Sequence, residues 1–182
     1  MSLTTSDVLT LATTADAAGV AELLTAAANR LSALHGEGHW SRESTERGVL
    51  NTMRTSKVFV AKRANVPVAT MTLATKKPWA IDVSYFTPRP RVLYMLSMAV
   101  HPDIQRQGVG RTCIEQMLSV AEAWPCDTIR LDAYDADAGA GGFYVSCGFT
   151  EVGRVVYRNV PLIYFERLFG APGDASALIN RY

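Results

Sequence analysis

The stretch richest in chemistry reads Gln105-Arg106-Gln107-Gly108-Val109-Gly110. It stands between an apolar run that ends at Val100 and a helical pattern that follows it. Two glycines at a helix entry let a ligand approach the backbone with no Cβ in the way. The first amide groups of a helix have no partner within it, and the helix dipole is positive at that end. Such an entry suits a phosphate. Arg106 and Arg111 add positive charge beside it. The same hexapeptide also fits an ordinary glycine-containing helix entry whose charged residues face water.

Other readings of the same residues compete. A P-loop requires G-x-x-x-x-G-K-[ST], and no such run occurs. A dinucleotide fingerprint requires G-x-G-x-x-G directly after a strand. Gly108 to Cys113 lacks the third glycine, and Gly108 falls eight positions after Val100. Asp132 does lie where that fingerprint places an acid, about twenty residues on, which leaves a nicotinamide-dependent oxidoreductase open. His35 and His39 have the spacing of a metal pair, but Gly36 and Gly38 break the helix that would align them. Asp132, Asp135 and Asp137 lack the spacing of a calcium loop, and no metal site is expected. Cys113, Cys126 and Cys147 are odd in number and form no C-x-x-C pair. They read as small hydrophobes of a reducing cytoplasm.

These residues need elements to hold them. The 182 residues, 48% apolar and 19% charged, suffice for one packed domain and exclude a disordered chain. A net charge of +1 argues against non-specific nucleic-acid binding. No apolar run reaches the roughly 18 residues that span a bilayer, and the N-terminus has no secretory-signal pattern. Asp7–Thr13 reads as a strand. Thr13 and Asp16 form a capping-box pattern before a helix over 16–34, whose stripe is Val20, Leu23, Leu24, Ala27, Leu31 and Leu34. A second helix is expected over 44–53, then a hairpin of strands 57–62 and 68–74 around Asn65-Val66-Pro67. Residues 75–91 hold three prolines and no clear period. Long loops of that kind often carry function, and Trp79, Tyr85 and Phe86 could line an acceptor site or a dimer contact.

Val92–Val100 is apolar on both faces apart from Ser97 and the Tyr94 hydroxyl, as in a central strand buried on both sides. A helix over 108–123 follows, with Ile114, Met117, Leu118 and Ala121 as its buried stripe. Residues 128–133 alternate Ile129, Leu131 and Ala133 against Arg130 and Asp132, as a strand does, and Asp132 could equally be its solvent-facing residue. A short helix over 138–146 and two antiparallel strands, 151–157 and 162–167, complete the pattern, with a tail over 170–182.

Leu93 to Pro102 followed by Gln105 to Gly110 resembles the acetyl-CoA-binding motif of the GCN5-related N-acetyltransferases, a strand and then [QR]-x-x-G-x-[GA] opening a helix. Phe143-Tyr144-Val145-Ser146-Cys147-Gly148-Phe149 is similar to that family's aromatic-Tyr-x-x-x-Gly-Phe segment. The likeness covers about residues 93–149. It implies an α/β (α+β) GNAT fold: a mixed, mostly antiparallel sheet of six or seven strands, a splayed central strand and about four flanking helices. The whole of 1–182 would be one acetyltransferase domain, with a core of about 7–169.

Residue by residue, the resemblance puts the pantetheine arm against Met98, Ala99 and Val100. The pyrophosphate would lie on the amides of Gln105, Arg106, Gln107, Gly108, Val109 and Gly110, with Arg106 and Arg111 as cations. The co-substrate implied is acetyl-CoA. The acceptor would be a small-molecule or peptide amine, attacking directly in a ternary complex. A non-catalytic CoA-binding module of the same fold is the alternative.

The transfer passes through an oxyanion that the backbone N–H of Met98 or Val100 can stabilise. Tyr144, by its motif position, would protonate the departing thiolate. The acceptor ammonium must also lose a proton, since an alkyl amine has a pKa near 10.4 by the lysine reference. Leu93–Val100 carries no acid where many relatives place a glutamate, so Glu37, Glu43, Asp82 and Asp132 are the candidate bases. Asp137 stands where relatives often have asparagine, and Gly139, Gly141 and Gly142 weaken the helix that carries Tyr144.

Overall fold

The computed structural model describes residues 8–169. Asp7 and the 170–182 tail lie outside them. The strands are β1 (Thr10–Leu11), β2 (Lys57–Arg63), β3 (Val66–Ala74), β4 (Val92–Val100), β5 (Thr128–Tyr134), β6 (Thr150–Tyr157) and β7 (Val160–Leu168). The helices are α1 (Ala17–His35), α2 (Glu46–Met53), α3 (Val109–Ala123) and α4 (Gly141–Ser146). The strands form one sheet in the order β1-β2-β3-β4-β5-β7-β6. Only the β4–β5 pair is parallel; the other five are antiparallel. A doubly wound parallel sheet, which a dinucleotide-binding oxidoreductase would need, is not this architecture.

Local sequence explains most boundaries. The Asp16 carboxylate accepts the Thr13 N–H at 2.8 Å ahead of α1, and Gly36 ends that helix at φ +80°. The β2–β3 turn is Ala64-Asn65, both at positive φ, which suits a tight two-residue hairpin. The turn therefore falls earlier than Asn65-Val66-Pro67, and Pro67 sits within β3 beside a bulge at Ala61/Lys62. β1 is two residues long rather than seven, and α4 begins at Gly141 rather than 138.

Helices α3 and α4 cover one face of the sheet, where Ile114 and Met117 pack with Met71, Leu93, Ile129, Leu131 and Phe165. Leu118, expected in the α3 stripe, is only half-buried; Val109 and Cys113 are buried instead. On the other face α1 and α2 set Val20 and Val49 against Val58 and Val60. The 75–91 loop covers the rest of that face, with Ile81 and Phe86 packed on Tyr94 and Tyr164.

That loop is strapped down. The Tyr164 hydroxyl accepts the Asp82 N–H and donates to the Ala80 carbonyl. Glu166 accepts the Thr87 N–H and hydroxyl, and Arg130 donates to the Thr87 carbonyl at 2.8 Å. Arg130 is thus buried beneath the loop, not turned to solvent. The loop aromatics differ: Phe86 is core, Tyr85 meets Tyr164 edge-on, and Trp79 is 83% exposed.

Candidate active site

The parallel ladder between β4 and β5 stops early. It joins Val92–Tyr94 to Thr128–Arg130 and goes no further. Beyond Tyr94 the two strands part, so burial on both faces holds for Leu93, Tyr94 and Met95 and fails after them. On its other edge β4 stays paired with β3, but Thr72 faces Leu96 and Thr70 faces Ala99. Two residues of β4, Ser97 and Met98, therefore oppose Met71 alone. This is a β-bulge, and Ser97 adopts φ +50° to make it. The bulge bends β4 away from β5.

Backbone direction follows from the ladder. The His101 N–H bonds the Val68 carbonyl on β3 at 2.8 Å. Amide groups alternate sides along a strand, so those of Val100 and Met98 point to the open β5 side. The Val100 carbonyl is occupied by the Gln105 side-chain amide at 3.0 Å. The N–H groups of Met98 and Val100 are left facing the gap.

The turn from β4 into α3 is built for close approach. Arg106 takes φ +61° and Gly108, the N-cap of α3, takes φ +87°. A Cβ on Gly108 would meet no atom within 4 Å, whereas one on Gly110 would lie 3.3 Å from the Phe143 ring. A cavity of about 660 Å³ opens over this turn. Met98, Ala99, Val100, Gln105, Arg106, Gly108, Gly110, Arg111 and Tyr144 line it. Two of the sequence-predicted residues do not: Gln107 is exposed and bonds the Asp103 carbonyl, and the Val109 side chain is buried in the core. Arg111 lines the cavity but donates to the Ser146 carbonyl and hydroxyl at 3.0 and 3.2 Å, which leaves Arg106 as the less encumbered cation. Ala27 and Leu31 of α1 also line it. Their helical spacing places both in a core stripe, whereas the structure turns them toward this cavity.

Tyr144 sits where this cavity meets a second one of about 490 Å³ inside the splay. Its ring packs against Phe143, Phe149 and Phe165. Its hydroxyl bonds no other group among the described residues. Burial, and then the Asp132 charge, push its phenol well above the ordinary tyrosine value. The second cavity is lined by Met95, Leu96, Ser97, Met98, Asp132 and Tyr134 among others.

Of the four candidate bases, only Asp132 lines either cavity. Glu37 is exposed, and Asp82 caps a 3-10 turn by accepting the Ser84 N–H and hydroxyl at 3.0 and 2.8 Å. Glu43 lines a third cavity of about 280 Å³ between α1, α2 and β3, which reaches the splay at Ser97. Asp132 is half-buried, and burial raises its carboxyl above the usual value. Asp137 is exposed and lines neither of the first two cavities. His35 ends α1 and His39 lies in the following loop, so the two do not share a helix face.

The chain matches the family model described as "Acetyltransferase (GNAT) family" over residues 22–149. It is 37% identical over 65 residues to the [ribosomal protein bS18]-alanine N-acetyltransferase of Escherichia coli. That match takes in 36% of this chain and 43% of the relative, so the chain spans less than half the length of the curated relatives it matches. The solved structure of the Escherichia coli ribosomal-protein-S18-alanine N-acetyltransferase superposes with a TM-score of 0.66 at 17% identity, covering 97% of this chain and 99% of that one. An acetyltransferase from Salmonella typhimurium, described with its cofactor acetyl-CoA, gives a TM-score of 0.66 at 17% identity over 92% of this chain and 98% of its own.

Proposed function

The chain belongs to the acetyltransferase (GNAT) family, and on that footing we propose that it transfers the acetyl group of acetyl-CoA to a primary amine by direct attack in a ternary complex. One observation carries the reading. A single cavity brings together the free edge of β4, the glycine turn into α3 and the Tyr144 ring.

The diphosphate would lie on the open amides at the start of α3, which the helix dipole favours, with Arg106 beside it. Gly108 leaves room for it to approach. The pantetheine arm would run along Met98–Val100 and enter the splay as a substitute for the missing β5 partner. The N–H of Met98 or Val100 would then meet the thioester oxygen, and one such donor is worth about 3–4 kcal/mol as the oxyanion develops. Tyr144 would protonate the thiolate as the C–S bond breaks; a phenol held protonated by burial suits that task. The amine would arrive from the Ser97 side, through the cavity that Glu43 borders. The Escherichia coli relative is named for acetylating an alanine of ribosomal protein bS18, which makes an alanine-initiated peptide the first acceptor to offer. None of the three thiols takes part in a disulfide, and a reducing cytoplasm is the compartment this reading assumes.

The test pairs a CoA titration with thiol release from acetyl-CoA across alanine-initiated peptides, polyamines, aminoglycosides and amino acids. Micromolar CoA binding and release that depends on one acceptor are expected. CoA binding without release for any amine would favour a non-catalytic CoA module. No CoA binding at millimolar concentration would overturn the reading.

A further inference from the structure

We infer that Arg167, near the end of β7, is a positioning residue for Tyr144: it holds the carbonyls just past α4 and so sets where the phenol meets the thioester sulfur. The inference rests on the acetyl-transfer reading above, in which Tyr144 is the acid.

Helix α4 has little means of fixing its own place. It runs only from Gly141 to Ser146, and Gly139, Gly141 and Gly142 crowd its start. Each glycine within a helix costs about 1 kcal/mol relative to alanine, and a helix this short does not persist without tertiary support. Its N-cap is Ala140, which has no side-chain acceptor to offer. The support comes at the other end. The amides of Cys147, Gly148 and Phe149 take up the carbonyls of Phe143, Tyr144 and Val145. The next three carbonyls go to arginines. Arg111 donates to that of Ser146, and Arg167 Nη1 donates to those of Cys147 at 3.1 Å and Gly148 at 3.0 Å. A cation suits this end, because the helix dipole is negative there.

Arg167 is the arm that ties this end to the sheet. Phe165, two residues earlier on β7, shares its face and packs against the Tyr144 ring. Strand β7 thus fixes the segment at two points, the ring through Phe165 and the backbone beyond it through Arg167. The fit at the second point is close. Gly148 stands at φ +82°, and a Cβ there would collide with the Arg167 guanidinium. Arg111 also lines the cavity proposed for CoA, whereas Arg167 lines a separate one of about 330 Å³ between α3 and α4. A change at Arg167 therefore acts on α4 without removing a cation from the diphosphate site. The placement matters because a general acid must lie within hydrogen-bond reach of the leaving atom, and a shift of about 1 Å can cost about 100-fold.

The experiment is a double-mutant cycle of Arg167→Met with Tyr144→Phe, with Arg167→Lys as the conservative variant. Thiol release from acetyl-CoA, with the acceptor that wild type acetylates, gives kcat and KM; a CoA titration and a melting curve accompany it. Arg167→Met should lower kcat by about 10–100-fold. KM for acetyl-CoA and CoA affinity should stay at the wild-type values. Arg167→Lys should recover part of kcat. In the Tyr144→Phe background the same Arg167→Met change should cost less than about threefold, because the acid it positions is gone. Tm should fall by the same amount in both backgrounds. Losses that multiply across the cycle, an unchanged kcat in Arg167→Met, or a loss carried by CoA affinity would each overturn the inference, while wild-type turnover keeps the parent reading intact. So would full turnover in Tyr144→Phe, which leaves no acid to position. Absence of turnover in wild type would overturn both. Should Arg167→Met not fold, Arg167→Gln, too short to reach both carbonyls, takes its place with the same outcomes.

Discussion

Replacing Tyr144 by phenylalanine separates a catalytic phenol from a packing one. The ring is 8% exposed and held by three other aromatic rings, all of which phenylalanine keeps. The hydroxyl has no hydrogen-bond partner among the described residues, so its removal orphans nothing. The stability change should stay within about 0.5 kcal/mol, since removing an unpaired polar atom is close to neutral. A bonded hydroxyl would instead cost about 0.5–1.5 kcal/mol. In a domain of this length that would lower Tm by about 2–4 °C per kcal/mol. Turnover, by contrast, should fall by about 10²–10⁴-fold, the range for one general acid. At 1.36 kcal/mol per tenfold this is about 3–5 kcal/mol of barrier. Thiol release, CoA titration and a melting curve measure the three quantities. Turnover within about threefold of wild type, in the face of that range, would refute the acid assignment. So would a Tm drop that tracks the loss of activity. The pH dependence gives a further check. Burial and the Asp132 charge raise the phenol above 10, so Tyr144 stays protonated below that pH and causes no alkaline fall there.

Other outcomes follow from the same geometry. Gly108→Ala puts a side chain at φ +87° in open space, so it should cost about 1 kcal/mol in strain yet weaken CoA by more than about tenfold, by blocking the open amides; calorimetry with CoA decides, and unchanged affinity would count against the phosphate site. Ser97→Gly relieves a left-handed residue, about 1–2 kcal/mol, against about 0.4–1 kcal/mol of added freedom in the unfolded chain, so Tm should hold or rise slightly. Arg91 holds the Asp127 carboxyl below 3.8; for Asp16, burial works upward but the Lys62 and Thr13 hydrogen bonds win, so it too sits below 3.8. Both contribute stability above that value that is lost as pH falls through their folded pKa, and urea midpoints against pH should show a shallower acid limb in Asp127→Asn.

The sequence announced what repeats locally and hid what depends on distant partners. The α3 and α4 segments, the glycine turn and β4 were legible because periodicity, glycine positions and the spacing from Gly108 to Tyr144 are local properties. Arg130 alternated like a solvent-facing strand residue, yet it lies buried under Thr87, because the 75–91 loop that covers it is a tertiary fact. β4 read as buried on both faces because nothing in its nine residues reports that β5 leaves it after Tyr94. Ser97 carried no signal at all. A serine at φ +50° inside a strand is a conformation its own sequence disfavours. Asp132 appeared among four candidate bases, and only the path of β5 distinguishes it from Glu37, Glu43 and Asp82.

Three locally unfavourable features of this chain share one place. A non-glycine residue in left-handed backbone, an acid half-buried without a counter-ion and a strand edge without a ladder partner all face the gap between β4 and β5. Each costs free energy that the surrounding core must supply, and each is the kind of cost that persists where a site needs it. The supply is visible on both sides. Leu93, Met95, Ile129 and Leu131 lock the strands below the splay, and the Arg130–Thr87–Glu166 strap ties down the loop beside it. An open edge so held can accept the amide groups of an extended arm as a replacement strand.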